Sequence, residues 1–472
     1  MKKSLKLILV VLILCLSFIL TACENEYITY ALSEDGSSYF VTGCVGDSKK
    51  IVIPSEYKKL PVTGISDYAF TDCDFLASIE IPNSVKYIGR VAFSGCDSLK
   101  KIVIPESVTR ISEKAFTSCS SLTNVEIKTN FAIFEQYVFL DCDSIIYNIY
   151  DNTKYLGNND NPYVLLVEPI DNNVTSCEIH NDTKIIANYA FVNCKLTNIE
   201  LPNGVEVVGE GAFLDYGNLV YNIYDNAKYL GNKDNPYVLL VKPLNKDITS
   251  CEINNNTKLI DIKAFEYCRS LTSIKITNGV TTIGDYAFFE CTSLSNLDIS
   301  ESVTNIGKNA FLWCSLSNII VHENNKVYNS RNNCNALIET KTNTLILGSD
   351  NGKIPEGVII IKDYAFHNCD GLINIQIPDS VTHIGKFAFY NCSVLSSVKI
   401  PNSVTNIDEY AFGRCETLTS IKIPGSVTIM GKGVFEDCDN LTIYCVTASR
   451  PEGWLYQWNI DNRPVVWDYQ EN

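Results

Sequence analysis

A repeat solenoid, with a parallel β-sheet on one side and short helical turns on the other, is the fold that three features of this sequence predict. The pair Ala-Phe or Val-Phe ends at Phe70, Phe93, Phe116 and Phe139, each 23 residues after the last. Further copies end at Phe191, Phe213, Phe265, Phe288, Phe311, Phe366, Phe389, Phe412 and Phe435, so thirteen units share one phase. Twelve of the 19 cysteines fall three residues after that Phe, at Cys73, Cys96, Cys119, Cys142, Cys194, Cys268, Cys291, Cys314, Cys369, Cys392, Cys415 and Cys438. Each unit also carries a short alternating run, which is the period of a half-buried strand. A unit of this size cannot bury its apolar residues alone, whereas stacked units bury them against one another.

One unit shows the elements in order: Leu395-Ser-Ser-Val-Lys-Ile-Pro-Asn-Ser-Val-Thr-Asn-Ile-Asp-Glu-Tyr-Ala-Phe-Gly-Arg-Cys415. Val398 and Ile400 face one side and Ser397 and Lys399 the other, and Pro401 ends the strand because it has no N–H for a ladder. The Ser-Val-Thr-x-Ile-Gly stretch is predicted to turn, with Gly89, Gly284, Gly307 and Gly385 at the tight position. Ala-Phe-x-x-Cys is predicted to form a short helical turn on the return side. One Cys per coil at a fixed phase makes an interior column of free thiols, each a small apolar filler with a weak S–H donor for turn carbonyls. Cys177 and Cys251 occupy strand positions, while Cys44, Cys334 and Cys445 follow no rule.

This pattern of strand, Pro, turn and Ala-Phe-x-x-Cys every 23 residues resembles the BspA-type, or Treponema pallidum-type, leucine-rich repeats over nearly all of residues 40 to 447. The resemblance implies a right-handed leucine-rich-repeat solenoid in a surface protein that adheres to host matrix proteins or to other cells.

Three long gaps interrupt the repeat. Phe139 to Phe191 and Phe213 to Phe265 are 52 residues, and Phe311 to Phe366 is 55. The first two breaks contain near copies, Tyr147-Asn-Ile-Tyr-Asp-Asn-Thr-Lys-Tyr-Leu-Gly157 and Tyr221-Asn-Ile-Tyr-Asp-Asn-Ala-Lys-Tyr-Leu-Gly231. Apolar runs flanked by Asn, Asp and Gly predict β-hairpin inserts, projecting from one edge and each followed by an extra strand. The expected organisation is a lipoprotein signal peptide over 1–22 and an N-terminal cap and first strand over 23–66. Repeats over 67–446 carry inserts near 150–176, 224–250 and 322–350, and 447–472 forms a C-terminal cap rich in Trp.

The N-terminus has Lys2, Lys3 and Lys6, an apolar run from Leu7 to Leu20 and then Thr21-Ala22-Cys23, the layout of an export signal. Leu-Thr-Ala-Cys resembles the bacterial lipobox, which implies acylation of Cys23 and a lipid anchor to the cell membrane or surface. Cleavage removes three of the 38 basic residues and none of the 54 acidic ones, taking the net charge from −16 to −19. Such a field repels polyphosphate, so no nucleic-acid partner is expected.

No catalytic constellation is visible. Nucleophile elbow, P-loop, dinucleotide fingerprint and zinc motifs are absent, and His180, His322, His367 and His383 sit at different repeat phases. Neither enzyme activity nor a cofactor, metal or small-molecule substrate is expected. The candidate ligand-binding residues are the outward strand positions. One column is small and polar: Ser78, Asn124, Asn198, Ser273, Asn296, Asn318, Asn374, Ser397 and Ser420. The next is acidic early, at Glu80, Glu126, Glu200 and Asp298, then basic at Lys399 and Lys422, with Lys275 interrupting. Such a face suits a protein ligand on a host matrix or another cell, and the inserts are a second candidate surface. The alternatives are a structural envelope protein, or a carbohydrate-binding surface protein that uses the tyrosines of the duplicated strands.

Overall fold

The structure, a computed structural model, describes residues 28–33, 36–213 and 218–470. The export signal and Cys23 lie outside them. The chain divides into two compact units, Met1–Val220 and Tyr221–Asn472, and each is a stack of coils.

Every regular coil contributes two strands. In the first unit the Ile-Pro strands pair in parallel as Lys50–Val52, Ser78–Glu80, Lys101–Ile104 and Asn124–Ile127. A second parallel ladder, Leu60–Ile65, Tyr87–Ile88, Arg110–Ile111 and Ile133–Phe134, runs through the Ser-Val-Thr-x-Ile stretch. That stretch was expected to be a turn. Instead the turn closes before it, with Val85 N–H donating to Pro82 C=O at 3.1 Å, and the β-branched residues then reach the interior, where Val85 and Ile88 are fully buried. The glycine after this strand is needed for space: a Cβ on Gly89 would lie 2.4 Å from the Asp67 nitrogen of the preceding coil. The second unit repeats both ladders, for example Ser250–Glu252, Ser273–Lys275 and Asn296–Ile299 beside Leu259–Ile260, Thr282–Ile283 and Asn305–Ile306.

The return side is not helical, and the expectation of short helical turns is corrected. Among the described residues the one helical element is a 3-10 turn at Arg331–Asn333. Residues two before and two after the repeat Phe take positive φ, such as Tyr68 at 61° and Asp72 at 56°. Three N–H groups per coil then point at the next coil: Tyr68 to Arg90 C=O at 2.9 Å, Phe70 to Ala92 at 2.7 Å and Asp72 to Ser94 at 2.8 Å. A helix would spend those donors internally and leave the stack without its third ladder.

The interior is built from like rows. Phe70, Phe93 and Phe116 stack at 5.1 and 5.0 Å between centroids, and Phe366, Phe389 and Phe412 at 5.1 Å each. The cysteine column has a specific partner. Cys96 Sγ lies 3.2 Å from Phe70 C=O, Cys119 3.1 Å from Phe93 C=O, Cys392 3.1 Å from Phe366 C=O and Cys438 3.0 Å from Phe412 C=O. Each thiol is a donor to the previous coil's Phe carbonyl, a bond that Ala or Val would forgo. Burial pushes the Cys96 and Cys392 thiols up to about 12. Cys334 and Cys445 are also buried, whereas half-buried Cys44 places its sulfur 3.8 Å from that of Cys73.

The inserts are three-stranded: Asn148–Tyr150, Thr153–Leu156 and Leu165–Pro169; Asn222–Tyr224, Ala227–Leu230 and Leu239–Pro243; Tyr328–Asn329, Leu337–Glu339 and Thr344–Leu347. Their last strands join the second ladder in parallel. The first two strands of each are the expected antiparallel hairpin, but its second strand packs into the core instead of projecting: Tyr155, Tyr229 and Leu337 are fully buried.

Candidate functional site

The Ile-Pro strands place their outward side chains as the alternation requires. Ser78–Glu80, Ser273–Lys275 and Ser397–Lys399 each show an exposed, buried, exposed pattern. Register aligns them into columns. In the first unit Ser78 pairs with Lys101 and Lys101 with Asn124, then separately Ser176 with Asn198. In the second, Ser250, Ser273, Asn296 and Asn318 form one column, with Asn374 and Ser397 paired, and Ser420 opposite Thr442. Asn124, Asn198, Asn296, Asn374 and Ser420 are exposed, and Asn318 is half-buried.

The charged column differs from its sequence reading in three ways. Val103 stands between Glu80 and Glu126 in the column, and Lys101 interrupts its polar neighbour. The early carboxylates are not a bare acidic field, because Lys50 pairs with Glu80 at 2.8 Å and Lys101 with Glu126 at 2.8 Å. The hydrogen bond from Lys101 holds the Glu126 carboxyl below its usual range despite desolvation. Two members went unread: Glu178 beside Glu200, and Glu252 beside Lys275 and then Asp298. Their position directly after the strand residues Cys177 and Cys251 could have found them. Gln376 beside Lys399, and Lys422 beside Tyr444, complete the later rows.

Glu178 and Glu252 sit at the duplicated inserts. Tyr150 Oη donates to Glu178 Oε1 at 3.2 Å, and the Glu178 N–H donates to Asp151 Oδ2 at 2.6 Å. Tyr163 stacks on the His180 ring at 3.8 Å. In the second copy Glu252 N–H donates to Asp225 Oδ2 at 2.7 Å, and Tyr224 meets Tyr237 edge-on at 5.7 Å.

The remaining histidines do structural work. His383 Nε2 lies 2.9 Å from Asp408 Oδ2, and His322 Nδ1 lies 3.9 Å from Glu301 Oε2. His367 is enclosed by Trp313, Tyr364 and Tyr390, and its buried Nδ1 has no hydrogen-bond partner among the described residues. Desolvation lowers its pKa to about 4. The unfolded chain therefore binds the extra proton first as pH falls, so this site's contribution is intact above pH 6.5 and drains away between 6.5 and about 4. The loss should approach about 3 kcal/mol. Urea unfolding from pH 7 to 4 should show that slope, and His367→Gln should flatten it. Among the described residues no group of three or more His, Cys, Asp or Glu side chains is placed to hold a metal.

Residues 37–160, 170–233, 244–349 and 343–449 match the family model described as BspA type Leucine rich repeat region (6 copies). No curated protein matches. Among solved structures, a leucine rich cell surface protein from Faecalibacterium prausnitzii A2-165 is 24% identical, with 89% of this chain and 87% of that one covered and a TM-score of 0.40. A leucine-rich repeat protein from Bacteroides ovatus ATCC 8483 is 22% identical over 93% and 98% of the two chains, with a TM-score of 0.32. The pneumococcal vaccine antigen PcpA is 15% identical over 94% and 98%, with a TM-score of 0.35.

Proposed function

Because the chain belongs to the BspA-type leucine-rich repeat family, we propose that it is a non-catalytic cell-surface scaffold that binds proteins of a host matrix or of neighbouring cells. The observation that carries this reading is the outward ladder face. In the second unit its Ser and Asn positions offer small hydrogen-bonding groups at strand spacing, with charged residues two positions along each strand. A partner that lies flat on such a face meets many weak contacts on a backbone already fixed by three ladders, so little ordering entropy is lost. Lys399 and Lys422 in the second unit give the partner an orientation, and their charge would act mainly on the association rate. The Leu20-Thr21-Ala22-Cys23 sequence supports export and a lipid anchor at Cys23, which would hold the scaffold at the membrane surface.

The test is saturable binding of the purified chain to immobilised extracellular matrix proteins, compared with the double substitution Lys399→Glu and Lys422→Glu. Binding that weakens about tenfold, mostly through the association rate and less so in high salt, is expected. No saturable binding to any foreign protein would favour a structural envelope role. Binding to glycans that maps to Tyr150 and Tyr224 would favour a carbohydrate-binding one.

A further inference from the structure

We infer that the first break in the repeat holds a docking cleft for an extended polypeptide segment of another protein, one that alternates basic and apolar side chains and pairs through its main chain. Throughout the regular coils, three return-side N–H groups donate to three carbonyls of the next coil. Lys114, Phe116 and Ser118 do so to Gln136, Val138 and Leu140, at 3.2, 2.9 and 2.8 Å. The following coil should present Tyr137, Phe139 and Asp141 in the same way. Its neighbour on this side is absent, because the insert Asn148–Pro169 supplies a strand to the second ladder but no return arm. Among the described residues those three N–H groups have no acceptor.

The coil beyond the insert is the complement. By position, Asn188, Ala190 and Val192 should accept from a preceding coil, and none receives a backbone donor. All six residues line one cleft of about 610 Å³. A row of donors facing a row of acceptors matches one thing above all, a peptide main chain.

The molecule shows elsewhere how such a row is covered. After the last repeat, Gly433 N–H donates to Gln457 C=O at 2.9 Å, Val434 to Trp458 C=O at 3.1 Å and Asp437 to the Asp461 carboxylate at 2.7 Å. At the third break Gly348 N–H donates to Ala365 C=O at 2.7 Å, which covers one carbonyl of the acceptor row, while the Asn309, Phe311 and Trp313 N–H groups have no acceptor among the described residues. At the first break the chain provides no such segment.

Side chains select the occupant. Phe139 and Val167 make part of the wall apolar, and the exposed carboxylates of Asp141 and Asp143 carry no ion pair among the described residues, whereas Lys154 is paired with Glu168 at 2.7 Å. That charge, with the carbonyl row, disfavours a free anion despite the open N–H groups, and favours Lys or Arg beside small apolar residues.

The probe is acetyl-Lys-Val-Lys-Val-Lys-amide, added to the full chain, with amide exchange followed by mass spectrometry. The peptide should slow exchange over residues 137–141. A version with esters in place of the two Val amides should bind roughly tenfold more weakly, for two lost hydrogen bonds. Asp141→Asn with Asp143→Asn should weaken binding and reduce its salt dependence. Absence of binding, equal binding of the ester, or protection confined to the outward strands each overturns the cleft. The last result would leave the sheet-face reading above intact, and sheet-face failure with cleft protection would do the reverse.

Discussion

Replacing Phe389 with alanine is expected to cost about 3–5 kcal/mol of stability. The ring is fully buried and stacks between Phe366 and Phe412 at 5.1 Å on each side. Its neighbours cannot close over the hole, because their backbones are fixed by hydrogen bonds to the coils on either side, Phe366 N–H to Ala388 C=O at 2.7 Å and Phe389 N–H to Ala411 C=O at 2.8 Å. The loss includes two ring stacks as well as transfer of the side chain to water. Urea unfolding should show the midpoint fall, with Ser397→Ala, an outward position, staying within about 0.5 kcal/mol. An effect of Phe389→Ala below about 1 kcal/mol would mean that the Phe row is not the interior.

Trp454→Ala is expected to be comparably severe, about 3–5 kcal/mol, and to be felt at one end. Trp454 is 1% exposed, bridges to Met430, and donates from its indole Nε1 to Val427 C=O at 2.9 Å. It packs with Trp458 at 4.9 Å and Trp467 at 6.0 Å. These rings cover apolar rows that a regular coil covers with the next coil. In a stack, stability depends on nearest neighbours, so loss of this cover should fray the last coils before the rest. Amide exchange should accelerate between Val427 and Cys445 in Trp454→Ala while residues 250–300 keep their protection. Uniform acceleration across the second unit would contradict this end effect. Tyr456, 89% exposed, should tolerate alanine.

The parts of this structure visible in the sequence were those that recur. Phe93 and Cys96 announce an interior row because a fixed phase survives stacking, and Val398 and Ile400 announce a strand because they alternate. Hidden parts fell below the length at which periodicity speaks. Tyr87–Ile88 is a two-residue strand, too short for any alternation, and its pairing is fixed by the coils beside it. The return arm looked helical because Ala-Phe-x-x-Cys is compatible with a helix. Tyr68 and Asp72 take positive φ as non-glycine residues, a strain accepted only because three bonds to the next coil depend on it. The inserts looked like exposed hairpins because Asn and Asp flank them, yet Tyr155 and Tyr229 point inward.

At the candidate face, outward positions were legible from alternation, but their charge state was not. Whether Glu126 is bare depends on Lys101, one coil back and diagonal in the ladder, and no local pattern encodes that. The cleft at the first break was less legible still. It arises from what the insert lacks, a return arm, rather than from any residue it contains.

The central claim is that like-phase rows share one dry interior within each unit, and native-state alkylation of the cysteines by iodoacetamide tests it most directly. Thiolate is the reactive form, and Cys96 and Cys392 are both fully buried and held up to about 12 by that burial. With Cys119 and Cys415 they should stay unmodified in the native chain, then react at the rate at which their own unit unfolds, long after half-exposed Cys44. If those column thiols react in the folded chain as fast as Cys44, the rows do not share a dry interior and the account fails.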